Sequence, residues 1–147
     1  MEGRFFLKTP INLNFRLQIL LRDIICRMDE NNFRKLVKEA LDSLPEEFAE
    51  KLNNVIVTVD DFPTPYQLRK SKLPPGILLL GLYEGVPQTK RGVYYSSIPD
   101  KITIFKNAIE RVAQTEEQIK AQVRQTVIHE IGHHFGLSDE ELKKSGK

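Results

Sequence analysis

From Asp29 onward the chain alternates between two hydrophobic periods. Phe33, Leu36, Val37, Ala40, Leu41 and Leu44 recur at the spacing of a helix with one apolar face, and Asp29 stands where its side chain can cap the first turn. Ser43-Leu44-Pro45-Glu46 then has the form of a capping box, predicting a short second helix that ends near Leu52, before the paired Asn53 and Asn54. The β-branched run Val55-Ile56-Val57-Thr58-Val59 predicts a strand. A second strand is expected over Ile77-Leu78-Leu79-Leu80-Gly81-Leu82-Tyr83, apolar on both faces and hence buried, with Gly81 marking a bulge or a close backbone approach. The alternating Lys101-Ile102-Thr103-Ile104-Phe105 predicts a third. Residues 60–76, rich in proline and lysine, read as a long loop, and residues 84–92 as a turn segment. Asp60-Asp61 at the start of that loop are read as a solvated turn rather than as metal ligands.

The last third returns to the helical period. Asn107 is placed to cap a short helix through Val112, and Thr115 with Glu116 and Glu117 opens a long one, its negative charge at the positive end of the helix dipole. That helix runs through Ile119, Val123 and Val127 into His129-Glu130-Ile131-Gly132-His133-His134-Phe135-Gly136. Hairpin-like connections between strands predict pairing that is at least partly antiparallel. The whole pattern predicts an α+β domain in which a small twisted mixed sheet packs on the final helix, with the N-terminal helices on the same core. Residues 1–27 stand apart. They are basic and apolar, could form an amphipathic helix over residues 15–26, and read as an extension to a domain spanning 28–147, with Met28 a candidate natural start.

Composition narrows the class. The 147 residues suit one domain with a single core. Twenty-two basic against twenty acidic residues leave a net charge of +2, which gives no electrostatic footprint for a nucleic-acid or acidic-membrane partner. One cysteine, Cys26, excludes an intrachain disulfide and reads as a small hydrophobe. No apolar run reaches the roughly 18 residues of a membrane span, and residues 17–28, the nearest approach, are interrupted by Gln18, Arg22, Asp23 and Arg27. A cytoplasmic protein without a transmembrane segment is expected.

All three histidines lie in the final helical stretch, and two of them form H-E-x-x-H, a zinc-hydrolase signature that continues here as H-E-x-x-H-x-x-G-x-x-D. On a helix, His129 and His133 lie one turn apart on one face and can aim both imidazoles at a single cation. At about 100° per residue Glu130 falls on their flank, badly placed to coordinate with them but well placed to hold a water. Val127, Ile128, Ile131 and Phe135 lie opposite, giving a core face behind the ligand face. His134 points away from the metal and reads as a packed or half-exposed side chain rather than a ligand. Gly136 suits the left-handed residue that ends a helix, after which Asp139 can return as a third ligand or, alternatively, cap a short following helix. Three protein ligands and one open position make a catalytic rather than a structural zinc site.

These residues carry a resemblance. Residues 126–137, together with Leu80-Gly81-Leu82-Tyr83-Glu84-Gly85-Val86-Pro87 and Ile98-Pro99-Asp100-Lys101-Ile102-Thr103-Ile104, resemble the small bacterial minimal zincin family of zinc metallopeptidases, from about Met28 to the end. The resemblance implies a zincin-like fold, His129, His133 and Asp139 as zinc ligands, and Glu130 as catalytic base. The broader metzincin clan adds a methionine turn after the motif. This chain has only Met1 and Met28, both upstream. In zincins generally an extended substrate adds to a sheet edge above the metal, and the turn between Tyr83 and Tyr95 is the expected rim, where a tyrosine hydroxyl either steadies an oxyanion or simply packs. The function expected is zinc-dependent hydrolysis of a peptide or protein substrate. Two alternatives stand beside it: a non-catalytic zinc-binding interaction module, and a different small metallohydrolase such as a zinc ribonuclease, which would want a third histidine where Asp139 stands.

Overall fold

The computed structural model describes residues 4–7, 28–85, 99–136, 140 and 144, with the backbone alone described at 4–7 and His133. In chain order the elements are strand β1 (Arg4–Leu7), helix α1 (Glu30–Asp42), the short helix α2 (Glu46–Ala49) running into a 3-10 turn (Glu50–Leu52), β2 (Val55–Asp60), α3 (Pro65–Ser71), β3 (Leu78–Glu84), β4 (Asp100–Phe105), α4 (Lys106–Val112) and α5 (Glu116–His134). This is the α+β architecture that the alternating periods predict.

The strands form one sheet in the order β1-β3-β4-β2. β3 runs antiparallel to both neighbours, with Tyr83 opposite Ile102 and Gly81 opposite Ile104, whereas β2 and β4 are parallel, so the sheet is mixed. Arg4–Leu7, within the stretch read as an extension, is a strand of this sheet: it pairs along β3 from Leu7↔Leu78 to Arg4↔Leu82. The register shifts between Phe5 and Phe6, which face Gly81 and Leu79, so β3 carries an extra residue, Leu80, beside the glycine read as a bulge or close approach. The helix expected over residues 15–26, and Cys26 with it, lies outside the described residues.

Side-chain caps open α1, α3 and α5. Asp29 Oδ2 accepts the Asn31 N–H at 3.2 Å, as expected of a cap. Before α5, Thr115 Oγ1 accepts the Gln118 N–H at 3.2 Å and Gln118 Oε1 accepts the Thr115 N–H at 3.3 Å, a reciprocal capping box. Three expectations need correcting. The long loop of residues 60–76 contains α3, because Thr64-Pro65-Tyr66-Gln67 is itself a capping box: Gln67 N–H donates to Thr64 Oγ1 at 3.2 Å, Thr64 N–H donates to Gln67 Oε1 at 2.9 Å, and Pro65 supplies a preset first residue. Ser43 is no such cap. Its hydroxyl turns back to the Ala40 carbonyl at 2.8 Å, and α2 starts from Pro45 without a side-chain bond. Asn107 lies inside α4 rather than before it, donating its side-chain amide to the Asp61 carbonyl at 3.0 Å and so tying α4 to the end of β2.

α5 is the spine of the core. Phe33, Leu36, Val37 and Ala40 of α1 are buried, and α1 packs on α5, whose Ile119, Val123, Val127, Ile128 and Ile131 are buried too. Leu79, Leu80, Leu82, Tyr83, Ile102 and Ile104 complete the same cluster from the sheet. The apolar face read behind the motif is therefore the face α5 buries, with Phe135 packed at its margin. Among the described residues, no helix is long and apolar enough to cross a membrane.

Candidate metal centre

α5 carries His129, Glu130 and His133 in continuous helix, so the two histidines stand four residues apart, one turn along the same side. His129 is half-buried and Glu130 fully buried. The His133 side chain and Asp139 lie outside the described residues, and among the described ones no group of three or more His, Cys, Asp or Glu side chains forms a cation site. The helix ends at Gly136, whose φ of +80° is the left-handed conformation expected there.

The position of Glu130 follows from how α5 meets β3. Thr126, Glu130 and His134 form an i, i+4 row on the helix, advancing about 6 Å per step, while Gly81, Tyr83 and Gly85 share one face of β3 and its extension at about 6.6 Å per step. The two rows are nearly commensurate and lie against each other. A Cβ on Gly81 would come within 2.6 Å of Thr126 Cγ2, so only glycine lets the helix approach this closely. Next along, the Tyr83 backbone N–H donates to Glu130 Oε2 at 3.0 Å, in a buried setting. Last, the Tyr83 ring stacks on the His134 ring, centroids 4.1 Å apart and planes 20° from parallel. A Cβ on Gly85 would stand 2.5 Å from Tyr83 Cε1 and 2.7 Å from Asp100 Cγ, so this glycine makes room for the aromatic and its partner.

Glu130 is therefore held, and by a main-chain donor. Tyr83 follows Leu82, the position of β3 that Arg4 faces, so the carboxylate takes its donor from the main chain of the sheet. Burying a carboxylate is costly unless it is hydrogen-bonded, and this bond supplies part of that compensation. It also fixes where the carboxylate sits relative to the helix.

The Tyr83 hydroxyl is committed elsewhere. It donates to Asp100 Oδ2 at 2.7 Å, and both residues are buried. His134 Nε2 stands 3.8 Å from the same oxygen, and the His134 side chain is 1% exposed, the packed one of the two states read for it. Tyr83 is thus a packed aromatic and not an exposed oxyanion donor. Residues 86–98, the rest of the expected rim, lie outside the described residues. Sequence reasoning misses this cluster as a unit. Its signal is present as two spacings, glycines flanking Tyr83 at intervals of two and Thr126, Glu130 and His134 at intervals of four.

A site built on His129 and His133 and completed by a carboxylate would suit Zn²⁺, which takes imidazole nitrogen and carboxylate oxygen.

No curated protein matches the chain. Among solved structures, a conserved hypothetical protein from T. thermophilus is 26% identical, with 73% of this chain and 94% of that one covered and a TM-score of 0.47. Residues 52–147 match the model of the zincin-like metallopeptidases. The match takes in β2, β3, β4 and all of α5, more than half of the chain, and the protein belongs to the zincin-like metallopeptidase family.

Proposed function

We propose that this protein hydrolyses peptide bonds, with Zn²⁺ held by His129, His133 and Asp139 and with Glu130 as general base. The observation that carries the reading is the buried Glu130 carboxylate, fixed by the Tyr83 N–H on the same helix that sets two histidines one turn apart. Zinc bound there supplies a Lewis acid for the scissile carbonyl and brings the pKa of a bound water to about 7.

The chain's own residues supply the rest. Glu130 takes a proton from the attacking water and returns it to the leaving amine, which requires a carboxylate of fixed position within reach of both. The bond from Tyr83 restricts that carboxylate to one orientation, so little reorganisation accompanies proton transfer. His129, half-buried on α5, keeps one flank accessible while the opposite face is locked into the core. A net charge of +2 gives no electrostatic footprint for a polyanionic substrate.

Glu130→Gln tests the assignment. An amide oxygen still accepts the Tyr83 N–H, so the variant is expected to fold and to bind one equivalent of zinc, while peptide turnover falls by at least about a hundredfold. Peptide cleavage retained in that variant contradicts the role of Glu130. Zinc binding without cleavage by the unaltered protein across a peptide library supports a non-catalytic zinc module, and RNA cleavage without peptide cleavage supports a ribonuclease.

A further inference from the structure

We propose that Tyr83 is the positioning residue for Glu130 and that Asp100 and His134 act through it, clamping the ring and hydroxyl so that the Tyr83 backbone N–H stays aimed at the carboxylate. The proposal rests on the reading of Glu130 as base but makes a separate structural claim. Four contacts carry it. Tyr83 N–H donates to Glu130 Oε2 at 3.0 Å, Tyr83 Oη donates to Asp100 Oδ2 at 2.7 Å, the Tyr83 ring stacks 4.1 Å from that of His134, and Gly85 leaves the space that the ring occupies. One residue thereby links β3, β4 and both the middle and the end of the motif on α5.

The link is mechanical. A strand N–H can aim a side chain only as well as its own strand is held, and among the described residues the pairing of β1 with β3 ends at Arg4↔Leu82. At Tyr83 the described holds on the strand are β4, where it faces Ile102, and what its side chain grips. The hydroxyl grips Asp100, which lies at the first residue of β4, and the ring grips His134, one turn after Glu130 on α5. All three side chains are buried, so these grips are made in a medium where hydrogen bonds are strong and displacement by water is costly. A shift of the tyrosine would be passed directly to the carboxylate, and misplacement of a general base by even about 1 Å costs catalysis steeply.

The test pairs amide hydrogen exchange with steady-state kinetics in the full zinc-loaded chain, comparing Tyr83→Phe, Asp100→Ala and Asp100→Asn. Tyr83→Phe and Asp100→Ala are expected to speed exchange of the residue-83 amide by about tenfold while the Val127 amide of α5 stays as protected as before, which separates local release from global loosening. The same two variants lower kcat by about tenfold with KM within about twofold. Asp100→Asn restores both, because its amide oxygen still accepts the tyrosine hydroxyl. Undiminished protection of the residue-83 amide in both Tyr83→Phe and Asp100→Ala overturns the proposal, as does an Asp100→Asn variant as impaired as Asp100→Ala. Should the unaltered protein cleave no peptide, the peptidase reading fails, yet the exchange data still decide whether the clamp aims Glu130.

Discussion

A glutamate with no solvent exposure on a helix between a sheet and a second helix would be read as an error in an ordinary core. Here it is accommodated because one residue pair, Gly81 and Thr126, sets the helix close enough to β3 for the carboxylate to reach a backbone donor. That closeness is testable. In Gly81→Ala the new Cβ would sit 2.6 Å from Thr126 Cγ2 and 3.3 Å from the Thr103 carbonyl, and we expect a loss of about 1–3 kcal/mol in urea denaturation. Adding Thr126→Ser removes the obstructing methyl and should recover a measurable part of that loss. A strictly additive double mutant would show that the two residues do not set the approach. At this scale the sequence is informative about single residues and silent about partners. The angle of His134 on the helical wheel places it away from the metal face, packed or half-exposed, and its side chain is packed. That it packs on Tyr83 beside Asp100 depends on strand register, which no local spacing around residue 134 encodes.

At the scale of elements, period and cap chemistry locate β2, β3, β4, α1 and α5 to within a residue or two. They do so because the burial is written locally, as one apolar stripe in α1 through Phe33, Leu36, Val37 and Ala40 and as a run buried on both faces in β3. α3 is lost to a compositional reading: prolines and lysines suggest loop, whereas Pro65 stands at the one helical position where proline costs nothing. The capping box that identifies α3 also connects it to the neighbourhood of the site, since Gln67 Nε2 donates to Glu84 Oε2 at 3.2 Å on the end of β3. Thr64→Ala should therefore cost about 1 kcal/mol, the usual worth of such a cap, and lower the melting temperature by a few degrees. Circular dichroism melts check this, and an unchanged melting point would show that α3 is held by its tertiary contacts instead.

Over the whole molecule the arrangement is asymmetric. α1 and the sheet cover the apolar face of α5, so the helix is fixed by burial on one side and is left to present His129 on another. The family match begins at Leu52, after α1, yet the buried residues of α1 belong to the same core as those of α5, so the described core extends beyond the matched span. The motif is legible because its spacing of four coincides with a helical turn, the same periodicity that organises the core stripe behind it. Asp139, proposed as its third ligand, lies outside the described residues. The central claim is that α5 offers one cation two imidazoles and leaves a position for solvent. Zinc K-edge X-ray absorption on the zinc-loaded protein measures this directly. We predict a first shell of two imidazole nitrogens at about 2.0–2.1 Å, completed by oxygen donors alone, in one equivalent of metal per chain. A shell with fewer than two imidazoles, or a protein that retains no zinc, would contradict it.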